Sequence, residues 1–306
     1  MEVFVHGSLT AATAFSLCRT VRGHLETGIR QLFLNLIEVK ATDAVGLAAL
    51  LQSSRLAQLV GVYLSILPSP AIHRALIQAQ LVEEVPLASG VSPEAAPSTT
   101  ALNAGRSDPA TPFLARTARV GLRQPARGEL ALFEQWAHNP LLDQMVGSEL
   151  LYRCRHLGSY HPEFVSLVLN NPTSLTLLVQ PTAPSAPPVG FVRLYNIRLA
   201  ERFAFLETAT ADLRALRRAS GIEASRLLLG YAMDVLGVRR VEAKAYAYNI
   251  LSINALKRNG FQQEGILRQA KSYEGQAWDI LLFSILEEEM KAQRVHEQFP
   301  YMGFWE

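Results

Sequence analysis

Apolar residues follow two periods along the chain. Val3-Phe4-Val5-His6 is a short apolar run closed by Gly7 and reads as a strand. Ala14, Leu17, Val21 and Leu25 recur at helical spacing, so Ala11 to Leu25 reads as an amphipathic helix. The run from Gln31 to Leu36 is almost continuously apolar, as expected of a strand covered on both faces. A second helix opens at Thr42-Asp43-Ala44-Val45-Gly46 and runs to about Leu59. A third strand follows over 62–67, and a third helix starts at Pro70, where a missing N–H costs little, and ends near Gln80. This alternation predicts a small α/β sandwich over residues 1–88.

The pattern then stops. From Ser89 to Pro112 the chain is mostly Ser, Pro, Ala, Thr, Asn and Gly, with no apolar period. Such a stretch buries too little apolar surface to offset its ordering entropy, so residues 89–114 read as a flexible linker. Periodicity resumes over 115–290. Strands are predicted at 118–123, 175–180, 189–195, 202–210, 240–248, 261–268 and 278–285, and helices at 128–136, 223–236 and 251–258. Pro181 to Pro188 reads as a hairpin loop. Residues 291–306 form a tail whose end, Phe299-Pro300-Tyr301-Met302-Gly303-Phe304-Trp305, is rich in aromatics and is expected to fold back or to join an interface.

The first domain resembles the STAS domain, the fold of anti-sigma-factor antagonists. Gly7-Ser8-Leu9-Thr10 sits at that family's Gly-x-Leu-Asp turn, Asn35 at its usual strand Asp, and Asp43-Ala44-Val45-Gly46 at its Asp-Ser-Ser-Gly tetrapeptide. In family members that act as phospho-switches, a Ser of that tetrapeptide carries the phosphate. Here Ala44 and Val45 replace both hydroxyls, so the resemblance implies a binding module without the switch. Asp43 itself reads first as a helix N-cap. The implied role is docking: of a protein partner, of a second copy of the chain, or of the neighbouring domain.

The second domain resembles the GNAT acyl-CoA N-acyltransferases, in the branch that includes ribosomal-protein N-terminal acetyltransferases. The resemblance rests on Glu223 to Ala232, on Gly237-Val238-Arg239-Arg240-Val241-Glu242-Ala243, and on Asn249-x-x-Ser252 with Gly260-Phe261-x-x-Glu264-Gly265, in that order. It implies a mixed, mostly antiparallel sheet and binding of acetyl-CoA as acyl donor, with no metal. The family's R/Q-x-x-G-x-G/A phosphate loop falls on Leu216-Arg217-Arg218-Ala219-Ser220-Gly221. The final Gly is kept, while Leu216 and Ala219 replace a basic residue and a Gly. Backbone N–H groups at the following helix would receive the pyrophosphate. The implied cofactor-binding set is Arg217, Arg218, Ala219, Ser220, Gly221, Ile222, Asn249 and Ser252. The alternative for the loop is a plain helix cap with solvated arginines.

Transfer to an amine needs a base, a donor for the thioester oxygen, and a proton for the leaving thiolate. Glu207 lies on the strand where relatives place the base or its water relay. A carboxylate beside Phe203, Phe205 and Leu206 is either a base with a raised pKa or a surface acid on an edge. Leu256 stands where many relatives carry a Tyr acid. Some relatives in this branch use the Ser at the position of Ser252 near the CoA sulfur, so the resemblance implies Ser252 as the second catalytic candidate; Tyr246 and Tyr248 are nearby alternatives, though strand tyrosines more often pack. His138, His156 and His161 fall in the segment that forms the acceptor side in relatives, without metal-ligand spacing, and read first as surface residues.

Composition narrows the classes. Hydrophobic residues make up 49% and charged residues 18%, which excludes a disordered chain and a coiled coil. A formal charge of +2 gives no footprint for nucleic acid. Cys18 and Cys154 lie too far apart for a disulfide scaffold or a zinc ribbon. No apolar run is long enough to cross a bilayer and no signal-peptide pattern opens the chain, so a cytoplasmic location is expected, with no nucleic-acid or membrane partner. The expectation is an α/β protein of two domains that N-acetylates a primary amine: a protein N-terminus, an amino sugar or a small amine. The competing reading is a GNAT-like regulatory protein that binds acyl-CoA or a partner without turnover, as the losses at 216, 219 and 256 would allow.

Overall fold

The computed structural model describes residues 1–88, 99–104, 113–183, 185–217 and 219–297. The chain divides into two compact units.

The first unit runs β1 (Glu2–Leu9), α1 (Ala14–Glu26), β2 (Gln31–Leu36), β3 (Val39–Thr42), α2 (Ala44–Leu59), β4 (Tyr63–Pro68), α3 (Pro70–Gln78) and β5 (Thr99–Ala104). Its strands are parallel: β1 pairs β2, β3 and β5, and β2 pairs β4. Glu2, Val3 and Phe4 face both β2 and β5, and Gly7 faces both β3 and β5, so β2 and β3 share one edge of β1 while β5 takes the other. Sequence reading places Thr99–Ala104 in a flexible linker; the structure corrects this. The edge of β1 opposite β2 would otherwise expose a row of unpaired N–H and C=O groups, and Thr99-Thr100-Ala101-Leu102 is the part of the segment free of Pro and Gly that can pair with it. The aromatic tail from residue 298 on lies outside the described residues, as do 89–98 and 105–112 of the linker.

Asp43 organises this unit. It caps α2, its Oδ1 accepting from the N–H groups of Val45 at 3.0 Å and Gly46 at 2.9 Å, while Oδ2 accepts from Ala11 N–H at 2.9 Å. The helix start sits so close to β1 that a Cβ on Gly46 would meet the Leu9 carbonyl oxygen at 2.1 Å. Val45, next in the turn, is 2% exposed. Asn35 donates to Glu2 Oε1 at 3.2 Å and accepts from Ile37 N–H, a local strand-end arrangement.

The second unit contains β6 (Ala115–Arg116), β7 (Val120–Arg123), α4 (Ala131–Ala137), α5 (Pro140–Met145), α6 (Glu149–Leu157), α7 (Pro162–Leu169), β8 (Leu175–Pro181), β9 (Gly190–Arg198), β10 (Phe203–Thr210), α8 (Leu213–Arg217), α9 (Ser220–Asp234), β11 (Arg240–Tyr246), α10 (Ile250–Arg258), β12 (Gln262–Tyr273), β13 (Gln276–Leu286) and α11 (Glu287–Glu297). One sheet orders these strands β12-β13-β11-β10-β9-β8-β7-β6. Its β6–β7, β7–β8, β11–β13 and β12–β13 pairs are antiparallel, and β10–β11 is parallel. The expected mixed, mostly antiparallel sheet is therefore present.

Strand alternation divides the two faces. On one, Phe191 of β9 and Ala209 of β10 close a core with Leu130, Phe133, Trp136 and Phe164 from the α4–α7 layer. Phe133 meets Trp136 and Phe164 edge-on, with ring centroids 5.3 and 6.0 Å apart. On the other face α9 lies against β10, where the Thr208 and Ser225 hydroxyls are 2.7 Å apart. Among the described residues no helix is long and apolar enough to cross a membrane.

Replacing Asp43 with Ala removes acceptors from three backbone N–H groups, two of them in the helix cap. A loss of about 2 kcal/mol or more is expected as a lower urea midpoint, and Asp43→Asn is expected to recover roughly half.

Candidate active site

Strands β10 and β11 pair only at Phe203, Ala204 and Phe205, opposite Arg240, Val241 and Glu242. Beyond that point β10 continues to Thr210 and β11 to Tyr246 with no further partner residues between them. Two strand ends thus part in the middle of a sheet, leaving N–H and C=O groups for an extended ligand to meet.

The head of α9 stands beside the parted end of β10. A Cβ on Gly221 would meet Thr210 Oγ1 at 2.8 Å, so the kept Gly is what lets the helix start approach the strand. Ala219 adopts φ 58° and ψ 26°, the left-handed region in which the Gly of the resembled motif would sit without strain. Ala219 thus takes a conformation that favours Gly. The Ala219 carbonyl accepts from the N–H groups of Ile222 at 3.0 Å and Glu223 at 3.2 Å. Ile222 is thereby removed from the expected phosphate-binding set, and helix geometry leaves Ser220 and Gly221 as the N–H groups to be satisfied from outside. Arg217 lies at the end of α8 with its side chain outside the described residues, and Arg218 is wholly outside them.

Asn249 and Ser252 are brought together, in a structural arrangement. Asn249 Oδ1 caps α10 by accepting from Ser252 N–H at 3.0 Å, and its Nδ2 donates to Ser252 Oγ at 2.7 Å and to the Met145 carbonyl at 2.8 Å. Asn249 is fully engaged and holds the end of α5 against α10, which argues against its expected role as a CoA ligand. The Ser252 hydroxyl accepts from Asn249, so its own hydrogen remains to be given.

Glu207 occupies β10 just past the last β10–β11 partner, on the α4–α7 face of the sheet. It is not a surface acid: its side chain is 13% exposed, and Oε1 is buried with no hydrogen-bond partner. Burial pushes its carboxyl above the usual carboxylate range, against the opposing pull of the Arg193 guanidinium and the Ser148 hydroxyl. Arg193 projects from β9 on the same face, and its Nη1 lies 3.9 Å from Glu207 Oε2, too far for a hydrogen bond. The Arg193 side chain is 9% exposed and its Nε has no partner. Its guanidinium sits 5.4 Å from the centroid of the Tyr195 ring, which itself stacks on Phe205 at 5.2 Å. Burial raises the Tyr195 phenol to about 12, so it stays protonated.

Sequence reasoning missed Arg193. The signal was a lone cation within the apolar run Gly190-Phe191-Val192-Arg193-Leu194, a position that strand alternation alone leaves free to face solvent. The other candidates stand apart. Tyr248 donates to the Gln144 carbonyl at 2.7 Å and stacks on Tyr246 and Tyr273, a packing role. His138 ends α4, His156 rests on Tyr152, and His161 accepts from Glu163 N–H, so the structure does not gather the three histidines. Among the described residues no cluster of His, Cys, Asp or Glu could hold a metal ion.

Residues 119–262 match the family model described as "Acetyltransferase (GNAT) domain". A 67-residue stretch is 37% identical to the "Uncharacterized N-acetyltransferase p20" of Bacillus licheniformis, covering 22% of this chain and 38% of that protein. The chain therefore spans well under half the length of that relative. Spermidine N-acetyltransferase from Vibrio cholerae, solved in complex with CoA and spermine, is 16% identical over 57% of this chain and 99% of its own, with a TM-score of 0.48. RimJ of Mycobacterium smegmatis, solved in complex with CoA-disulfide, is 21% identical over 58% of this chain and 89% of its own, with a TM-score of 0.43.

Ala219 supplies a direct check on the loop. A left-handed Ala is strained where Gly is not, so Ala219→Gly is expected to raise stability by about 0.5–1 kcal/mol in urea unfolding.

Proposed function

We propose that the second unit transfers the acetyl group of acetyl-CoA to a primary amine by direct attack, with Glu207 as the base. The observation that carries this reading is the buried Glu207 carboxyl, whose Oε1 has no hydrogen-bond partner, at the point where β10 and β11 part, beside a helix head that Gly221 allows to approach. The residues fit acetyl-CoA as substrate: the parted edge offers backbone groups to an extended pantetheine arm, and the Ser220 and Gly221 N–H groups suit a pyrophosphate.

An amine arrives as an ammonium ion and cannot attack until it loses a proton. Glu207, ionised, accepts that proton directly or through one water. The freed nitrogen lone pair forms a bond to the thioester carbonyl carbon, and the carbonyl oxygen takes the negative charge. Backbone N–H groups on the parted edge of β10 are placed to donate to it. Collapse of the tetrahedral adduct breaks the C–S bond, the thiolate leaves with the electron pair, and the second proton of the now cationic nitrogen passes to the thiolate, leaving a neutral amide and a thiol. The Ser252 hydroxyl, oriented by Asn249, is the group we assign to donate a hydrogen bond to the departing sulfur.

Leu216, Ala219 and Leu256 supported the alternative of a GNAT-like regulatory protein without turnover. The left-handed Ala219, a conformation that favours the Gly of the resembled loop, supports the enzyme reading over that alternative.

For the first unit we propose a STAS-like docking role without a phospho-switch. It rests on the order of elements and on the Asp43 to Gly46 turn at the head of α2. Thr42 is the one hydroxyl among residues 42–46, and it is 5% exposed. Intact-mass measurement of protein purified from cells is expected to find no phosphate on this turn; a phosphate there would reinstate the switch.

Glu207→Gln should lower turnover about a hundredfold, measured as thiol release over a panel of amines, with acetyl-CoA affinity nearly unchanged. Because Glu207 must be ionised and its pKa is raised, kcat/KM of the wild type should fall as pH drops through a value above the ordinary ~4.3 of a glutamate. The variant should lack that limb. Full activity in Glu207→Gln would move the base elsewhere. Acetyl-CoA binding without thiol release from any amine would favour the regulatory alternative.

A further inference from the structure

Three cations on one face of the second unit's sheet each sit over an aromatic ring. Arg193 lies 5.4 Å from the Tyr195 centroid, Lys244 5.4 Å from Phe205, and Lys271 4.8 Å from Tyr246. Register places them together. Phe205 pairs with Glu242, and Glu242, Lys244 and Tyr246 alternate on that side of β11, while Val241, Ala243 and Ala245 are buried on the other. Tyr246 pairs with Ile280 and Lys271 with Trp278, which extends the same face across β13 to β12. Glu207 and Arg193 lie on this face as well, one strand and two strands from β11.

The acids of the face are already matched. Arg240 holds Glu242 and Glu264, with its Nη2 2.8 Å from Glu242 Oε1, and Ser284 donates to Glu264 at 2.6 Å. Glu207 faces Arg193. Lys244 and Lys271 have only their rings: among the described residues neither has a carboxylate within salt-bridge distance. Arg193 adds a buried guanidinium whose Nε has no acceptor, and leaving a buried charged donor unmatched is costly. Glu207 and Glu149 both act on Arg193, so the positive charge left unmatched beside the proposed base is that of Lys244 and Lys271. A ligand that brought only further positive charge would meet repulsion there and would leave the Arg193 donor unmatched.

We propose that the acceptor is an anionic amine: a primary amine carrying a carboxylate or a phosphate about one or two strand spacings, roughly 5–10 Å, from its nitrogen. Its amine lies at Glu207 and its anionic group lies over Lys244 and Lys271, on the side of β10 away from Arg193. The apolar stem between them rests on Phe205. This rests on the acetyltransferase reading above and names the acceptor class for the same site.

The test uses the full-length protein and four primary amines of matched length ending in a methyl, an ammonium, a carboxylate or a phosphate group. Thiol release from acetyl-CoA should give a kcat/KM at least tenfold higher for an anionic amine than for the diamine. The carboxylate and phosphate arms show which anion is meant. The preference should shrink as salt is raised. It should vanish in the double variant Lys244→Gln/Lys271→Gln and persist in Lys244→Arg/Lys271→Arg, whose folding is checked by its unfolding midpoint. A diamine used as well as the anionic amines, or a preference unchanged in the glutamine variant, overturns the proposal. Calorimetry of the same amines in the presence of CoA separates the two readings. Selective binding of an anionic amine without turnover upholds the acceptor class and removes the enzyme; equal binding of all four removes the acceptor class whether or not turnover occurs.

Discussion

The parting of β10 and β11 is the constraint on which the rest of the second unit depends. Three residue pairs join the strands, and beyond them no partner residues follow although both strands continue. Unpaired backbone in the interior of a sheet is costly unless something meets it. Every feature of the site answers to that gap. Gly221 brings the head of α9 to one side of it, Asn249 fixes the start of α10 near the other, and Glu207 falls at the first free stretch of β10. The carboxylate is buried because the α4–α7 layer must cover Phe191 and Ala209 on the same face. It keeps an unmatched oxygen because its neighbour Arg193 stands too far away to bond it.

The long periodic elements were legible in the sequence. Helices α2 and α9 and strands β2, β8, β9 and β10 lie close to where hydrophobic spacing put them, because each buries a wide face whose period survives any detail of packing. The segment from Pro140 to Leu169 was not legible. Its three helices span six to nine residues and are interrupted at Gly147 and Gly158, too short for a period to stand out. Strand β5 was hidden for another reason: its neighbours in sequence are breakers, and the signal for pairing lies in β1, a hundred residues away in the chain.

The site was legible by position and not by role. Glu207 stands on the parted end of β10, Gly221 beside it and Ser252 on α10, while Ile222 and Asn249 are bonded within the fold. Sequence identity cannot separate an amide that is free from one that closes a helix turn. Arg193 marks the opposite failure. One charged residue in an apolar strand has two possible sides, and only the register of β9 against β10 decides that it meets a carboxylate instead of water.

Open strand edges are also hazards, since they template pairing with other chains and lead to aggregation. An outer edge strand must be blunted by charge, proline or a cover. The two edges exposed where β10 and β11 diverge need none of these, because each is shielded by the other arm of the fork. A sheet from another molecule cannot enter a wedge whose walls converge on three paired residues; a single thin, extended ligand can. The fork therefore excludes misassembly by shape alone, and the same geometry that leaves backbone groups unpaired restricts what can pair with them.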